Sequence, residues 1–329
     1  MKKLRLGVLG VSNHFIKRIV LPAKQLTNIQ LTSIASRSEL KASKYAKAFD
    51  IPHYYGDYQQ LLDSTDIDAV YIPLPNHLHG EWIRKAADAG KHILCEKPLS
   101  MNAHEAKAVV EYCQKKGVYL MEAFMYKYHP QWQKVRDIIR TNNIGKISFI
   151  HTSFSYNNPS PTNIRNIKAY GGGGLRDIGC YAISSARYLI EKEPIQVISQ
   201  RVEHPDFKTD ALSTAILDFG NCKATFTVST NSNAFQKVDV IGTVGYITIH
   251  LPFNSYTDVP AKLTVVTAIG HREITIAPTD QYGLMLTGFA NAILEQKPFS
   301  DIEDDAILNQ KVIDAVINSA HTGRWETID

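Results

Sequence analysis

Residues 4–15 read LRLGVLGVSNHF, and a helical pattern, IKRIVLPAKQL, follows from residue 16. The apolar run leads straight into Gly10, Val11, Ser12, Asn13, His14 and Phe15. A strand, a tight turn and a helix N-terminus in that order form the element with which a doubly wound sheet receives the pyrophosphate of a dinucleotide. The glycine pattern is degenerate: Ser12 and Phe15 stand where the dinucleotide fingerprint has its second and third small residues. Ser12 still offers a hydroxyl to a phosphate, and Phe15 implies shifted packing of helix on sheet. Gly10, Ser12, Asn13, His14 and Phe15 are the candidate contacts. Taken alone, Gly7 and Gly10 equally suit a simple strand end.

Outward from this loop the same alternation repeats. LTSIAS, AVYIPLP and HILCE read as buried parallel strands, separated by the helical patterns ELKASKYAKAF, HGEWIRKAADAG and AHEAKAVVEYCQKKG. Strict alternation of strand and helix argues for a parallel, doubly wound α/β sheet. The pattern changes near residue 122. One helix, HPQWQKVRDIIR, precedes KISFIHTSFSY, IQVISQRVE, LSTAILDF, KATFTVST, KVDVIGTVGYITIH, AKLTVVTA and HREITIAP. These Ile-, Val-, Thr- and Phe-rich runs have short Gly-, Asn- or Pro-containing connections, so they predict antiparallel neighbours. The expectation is an N-terminal Rossmann domain over 1–122. Residues 123–329 then form an α+β domain with a large open, mainly antiparallel sheet.

The bulk composition narrows the function classes. The chain has 329 residues, 44% hydrophobic and 21% charged, with a net charge of +4. No basic run exceeds two residues, which argues against nucleic acid as a partner. No apolar stretch approaches the ~20 residues of a membrane helix. At the start, Arg5 and then Ser12, Asn13 and His14 break up any signal-peptide pattern. Cys95, Cys113, Cys180 and Cys222 form no CxxC pair, and no Cys/His cluster has zinc spacing. Four free thiols suit a reducing cytosol.

The second strand ends at Ser36-Arg37-Ser38, with Lys41 a turn later. A cofactor with a free ribose 2′-hydroxyl usually meets Asp or Glu there. Hydroxyls and cations suit a 2′-phosphate instead. Ser36, Arg37 and Lys41 therefore predict NADP(H) over NAD(H). The alternative is that Arg37 and Lys41 decorate a helix start and Glu39 holds the ribose.

Two further stretches carry chemistry. HILCEKPLS, residues 92–100, ends a buried strand with Glu96-Lys97-Pro98. The carboxyl end of such a strand is where ligands bind, and the proline keeps Lys97 out of a helix. GGGGLRDIGCY, residues 171–181, sets a glycine run before Asp177 and Tyr181. If 175–190 is a helix, Ile178, Ala182, Ala186 and Leu189 share an apolar face, and Asp177, Tyr181, Ser184 and Tyr188 share another. Tyr188 lies ~16 Å further along the axis, so only the first-turn pair serves a site at the N-terminus. The glycines, Gly179 included, are read as letting backbone approach a flat ring. The plainer reading makes Asp177 a dipole-favoured carboxylate and Tyr181 a packing residue.

Three segments taken together resemble the glucose–fructose oxidoreductase and inositol dehydrogenase (Gfo/Idh/MocA) family. They are PNHLHGEWIRKAADAGKHILCEKPLSMNAHEA, MEAFMYKYHPQ and the glycine run, with order and spacing kept over nearly the whole chain. The resemblance implies an oxidoreductase that exchanges hydride between a nicotinamide cofactor and a sugar-like carbinol. It places the catalytic lysine on Lys97 and its acidic partner on Asp177. The terminal proton donor, a histidine in many members, becomes Tyr181, as in the branch of dimeric dihydrodiol and NADP-dependent xylose dehydrogenases. Leu74, Asn76, His79 and Glu96 correspond to residues lining the nicotinamide. The resemblance also implies a homodimer, or a tetramer, through the C-terminal sheet. His77, His79 and Glu96 have no recognised metal spacing and read as polar pocket residues.

Charge then suggests roles. Free Tyr and Lys titrate at ~10 and ~10.4, too high for a base near neutrality, and an oxidised nicotinamide would depress both. Tyr181 is assigned the proton, Lys97 the polarisation of the oxygen, and Asp177 the orientation of substrate; Lys97 and Tyr181 could exchange roles. Arg165 is either a substrate contact or a surface arginine. The rival function is an NADP(H)-binding sensor or regulator without turnover.

Overall fold

The computed structural model describes residues 2–297 and 300–328, in two compact units. The first holds the chain up to Met125 together with Tyr282–Ile307. The second holds Tyr126–Gln281 and the residues from Leu308 onward. A late segment, which a single boundary near residue 122 leaves with the second unit, thus packs into the first.

The first unit is built on β1 (Leu4–Leu9), β2 (Ile29–Ala35), β3 (His53–Tyr55), β4 (Ala69–Ile72), β5 (His92–Cys95) and β6 (Leu120–Glu122). Their order is β3-β2-β1-β4-β5-β6, with every pairing parallel. The strand order reverses between β1 and β4, and ligands of such sheets bind at that point, beyond the carboxyl ends. Between the strands run α1 (Val20–Gln25), α2 (Glu39–Ala48), α3 (Tyr58–Leu62), α4 (His79–Asp88) and α5 (Ala103–Lys116). The start of α5 shows why the sequence folds there. Asn102 accepts from the Glu105 backbone at 2.9 Å, and the Glu105 carboxylate reaches back to Met101 N at 2.9 Å. Gly117, at φ 67°, closes the helix.

The helix after β1 differs from the expected single run. Phe15–Ile19 form a π turn, and α1 begins only at Val20. Pro22 explains this: it has no N–H, and its ring would crowd the carbonyl four residues back. Widening the turn absorbs the misfit. Phe15 is fully buried, so an aromatic ring fills the place of a small residue and the helix meets the sheet in a shifted position.

The second unit contains α6 (Pro130–Arg140), β7 (Ile147–Asn157), α7 (Cys180–Ile190), β8 (Gln196–Glu203), β9 (Asp210–Asp218) and β10 (Lys223–Ser229). It continues with β11 (Asn231–Gly242), β12 (Gly245–Ile249), β13 (Ala261–Thr267) and β14 (Gly270–Ile276). The chain ends with α8 (Gln281–Leu294), α9 (Ser300–Thr322) and β15 (Glu326–Thr327). The sheet order is β14-β13-β12-β11-β7-β10-β9-β8-β15. Its pairings are antiparallel apart from β7 with β10, which run parallel. The run KVDVIGTVGYITIH divides at Thr243–Val244 into β11 and β12. One sheet face buries Ile150, Phe154, Phe226, Val228 and Leu217, and α7 lies against β7 on it. The register puts Phe149, Ile216 and Tyr246, all exposed, together on the other face.

Late residues complete the first unit. The ring of Phe289 lies 5.9 Å from that of Tyr119, and Asn28 Nδ2 donates to Asn291 Oδ1 at 2.7 Å. Ala306 belongs to the core cluster of Ile83, Val109 and Leu120. No described helix is long and apolar enough to cross a membrane.

One buried base gives the fold a pH response. His129 caps α6 by accepting from Gln131 N at 3.1 Å, and it is 1% exposed. Burial pushes its pKa down to about 4. The unfolded chain takes up this proton near pH ~6.5 and the folded one only near 4, so stability is full above the first value and falls as pH drops towards the second. The expected loss is about 3 kcal/mol. Denaturant titrations at pH 7 and pH 4 should show His129→Asn, which keeps a cap acceptor, losing less stability than the parent over that interval.

Candidate active site

In the first unit the candidate residues gather where β1, β4 and β5 end. Gly10 sits at φ 113°, and a Cβ there would stand 3.0 Å from Leu74 Cδ2. Only glycine is comfortable in that conformation. Ser12 Oγ accepts from Phe15 N at 3.0 Å, which caps the π turn and leaves the hydroxyl proton free to donate. Asn13 is exposed and His14 half-buried. A donating hydroxyl and an exposed amide at a strand-to-helix turn fit a pyrophosphate.

Behind this loop sits a half-buried carboxylate. Glu96 Oε1 accepts from the Tyr71 hydroxyl at 2.6 Å and lies 3.3 Å from His14 Nε2. Burial alone would raise its pKa, but His14, the neighbouring Lys97 and Tyr71 outweigh burial and hold it at about 2. Glu96 is therefore a standing negative charge beside Lys97. Lys97 is half-buried directly after β5, and the Lys97–Pro98 peptide is cis. Asn76 opens a 3₁₀ turn after β4 and is half-buried.

His79 is placed differently from a pocket-lining residue. Its ring is fully buried, with Nδ1 3.0 Å from Pro98 O and Nε2 2.8 Å from Leu74 O. Burial lowers its pKa.

The end of β2 presents Ser36, buried, then Arg37 and Lys41, both exposed. Ser38 N donates to Ser36 Oγ at 3.3 Å, and Ser38 caps α2. The Tyr58 hydroxyl is raised by burial and partly offset by Arg37 beside it. Glu39 lies along Gly56, its Cγ and Oε2 both 3.5 Å from where a Cβ would stand.

In the second unit the glycine run has an internal cause. A Cβ on Gly172 would stand 2.4 Å from Arg165 O, and one on Gly173 1.9 Å from Asp210 Oδ1. Gly173 also has φ 121°. The crowding at these glycines comes from the protein's own backbone and a half-buried carboxylate. Gly179 packs against Leu175 Cδ1, 2.8 Å from its own would-be Cβ. Gly173→Ala is expected to destabilise the chain by about 2–3 kcal/mol, from backbone strain plus displacement of Asp210. A denaturant midpoint unchanged from the parent would contradict this.

The segment behind the glycines is a π turn, Leu175–Gly179, that leads into α7. Asp177 on this turn accepts from the Tyr156 hydroxyl at 2.5 Å and pairs with Arg165 Nε at 2.8 Å, both through Oδ2. Asp177 raises the pKa of the Arg165 guanidinium, and burial together with Asp177 raises that of the Tyr156 phenol. The structure thus joins Arg165 to Asp177. Tyr181 is 6% exposed, its ring among Phe253 at 5.2 Å and Phe154 and Tyr126 at 6.0 Å. Asp210 anchors the turn by accepting from Leu175 N at 2.6 Å and Ser213 Oγ at 2.9 Å.

Tyr156, Asp210 and Tyr71 were not visible as site residues in the sequence. Tyr156 and Tyr71 lie in ordinary strand runs, and Asp210 reads as a strand start. Among the described residues, no group of three or more His, Cys, Asp or Glu side chains is arranged to hold a metal ion.

Residues 4–124 match the oxidoreductase family with an NAD-binding Rossmann fold, and residues 132–248 match the Gfo/Idh/MocA C-terminal domain. The chain is 34% identical over 325 residues to a D-xylose 1-dehydrogenase (NADP(+)) of Haloferax volcanii, covering 98% of this chain and 99% of that one. It is 30% identical to the trans-1,2-dihydrobenzene-1,2-diol dehydrogenase of Xenopus laevis, over 73% of this chain and 72% of the relative. Among solved structures, KijD10, a 3-ketoreductase from Actinomadura kijaniata in complex with NADP and TDP-benzene, superposes with a TM-score of 0.92. It is 27% identical, and the match covers 97% of this chain and 98% of KijD10. With both of its units matched in order, the chain belongs to the Gfo/Idh/MocA family of oxidoreductases.

Proposed function

We propose that the chain exchanges hydride between NADP(H) and a carbinol or carbonyl carbon of a sugar, polyol or cyclic diol. Tyr181 moves the proton, Lys97 holds and polarises the reacting oxygen, and Asp177 orients the substrate. The observation that carries this reading is the standing anion Glu96 behind Lys97 at the carboxyl end of β5, where ligands of such sheets bind. The nicotinamide, when bound, accepts or supplies the hydride. The protein's own groups handle the proton and the oxygen. Glu96 provides the counter-charge for a lysine ammonium. The Asp177 carboxylate, paired with Arg165 and Tyr156, suits orientation better than proton transfer. Two of the relatives are named for substrates that carry adjacent hydroxyl-bearing carbons. That favours sugars and cyclic diols as the substrate class. A homodimer through the exposed face carrying Phe149, Ile216 and Tyr246 belongs to the same reading. Mass measurement in solution tests it, a monomer being the contrary result.

The preference for NADP(H) rests on Ser36, Arg37 and Lys41, and on Glu39 lying along Gly56. Fluorescence titration should give a Kd for NADPH at least about tenfold below that for NADH. Arg37→Ala should narrow the gap. A preference for NADH would end it. The central experiment is NADP+ reduction across aldoses, polyols and cyclic diols. Turnover with at least one class is expected; tight NADPH binding with no turnover across the panel would favour a sensor or regulator.

A further inference from the structure

We infer that His79 is a positioning residue that fixes the lysine segment to the rest of the nucleotide site. The inference rests on the reading of Lys97 given above. His79 begins α4, and its ring lies between two backbone carbonyls, Leu74 O at 2.8 Å and Pro98 O at 3.0 Å. Leu74 follows β4, and Pro98 directly follows Lys97. Leu74 in turn presses on the turn after β1, its Cδ2 3.0 Å from a would-be Cβ on Gly10. His79 thus joins the segments that follow β4 and β5, and the Leu74 side chain carries the contact on to the turn after β1.

The ring cannot meet a ligand directly. It has no exposed surface, and both nitrogens are occupied by main-chain oxygens. The charged groups that face it are Glu96, after β5, and Glu105, from α5. Burial favours the neutral ring over both. Each ring nitrogen lies within hydrogen-bonding distance of a carbonyl oxygen, and the nitrogen that carries the proton donates to its carbonyl. Asn or Gln could keep one donated bond, whereas Leu would keep none.

The test compares His79→Gln and His79→Leu in the parent and in the Lys97→Ala background. The readouts are kcat and KM with a substrate the parent turns over, the pH profile of kcat, and the Kd of NADPH by fluorescence. His79→Leu should lower kcat about 30- to 100-fold, the scale expected when a reacting group is displaced by about 1 Å. His79→Gln should restore kcat to within about tenfold of the parent. Both should shift the pH profile and bind NADPH within about threefold of the parent. In the Lys97→Ala background neither should change the residual rate. If His79→Leu does not fold, His79→Gln in the two backgrounds carries the test. Unchanged kcat and pH profile per folded molecule would overturn the inference, as would equal effects with and without Lys97. A parent no more active than its Lys97→Ala variant would instead overturn the reading of Lys97.

Discussion

Lys97→Ala should lower kcat about a thousandfold, or ~4 kcal/mol in the barrier, while the Kd of NADPH stays within about threefold of the parent. The split follows from where the residue stands. The segment after β5 is held by backbone bonds and by the His79 ring. Glu96 N donates to Ile72 O at 3.1 Å, and Leu99 N donates to Glu122 Oε1 at 2.7 Å. With these bonds intact, truncating Lys97 is expected to leave the loop in place while removing the ammonium. It also leaves Glu96 without its neighbouring cation, so a small gain in affinity for oxidised over reduced cofactor should accompany the loss of rate. Steady-state kinetics and equilibrium titration on the same preparation check both. Retention of a tenth or more of the parental kcat would remove Lys97 from the reaction.

Tyr181→Phe should cost about a hundred- to a thousandfold in kcat with no change in thermal midpoint beyond about 2 °C. The ring of Tyr181 packs on Phe253, Phe154 and Tyr126, and phenylalanine keeps all of those contacts. Only the hydroxyl is deleted, so a fall in rate without a fall in stability isolates proton transfer from packing. The pH profile of kcat should lose one limb. A packing role predicts the rate preserved, since phenylalanine keeps the ring contacts.

The legible parts of this chain were those where local pattern and tertiary environment agree. The alternation through residue 120 gave β1, β2, β4 and β5, because buried parallel strands read as continuous apolar runs. β3 and β6 have three residues each, too few for any period to emerge. α8 escaped for the opposite reason. QYGLMLTGFANAIL is apolar nearly all round, so it has little of the amphipathic contrast that marks a surface helix. The site was legible where one short motif held its chemistry, as in Glu96-Lys97-Pro98. It was hidden where a partner arrives from a distant strand. Tyr156 meets Asp177 from β7, and Asp210 reaches the glycine run from β9. Nothing local in either strand marks such a long-range hydrogen bond. The π turn at Phe15–Ile19 answers Pro22, which lies beyond the turn, so nothing within the turn itself signals it.

The return of Tyr282–Ile307 to the first unit has a temporal meaning. A ribosome emits the six parallel strands early, yet Phe289, Asn291 and Ala306, which close that core, emerge some 160–180 residues later. At translation speeds of ~5–20 residues per second, the nascent half waits roughly 8–36 seconds with that flank of its core bare. Nascent chains stalled before residue 282 should therefore be protease-sensitive and chaperone-bound.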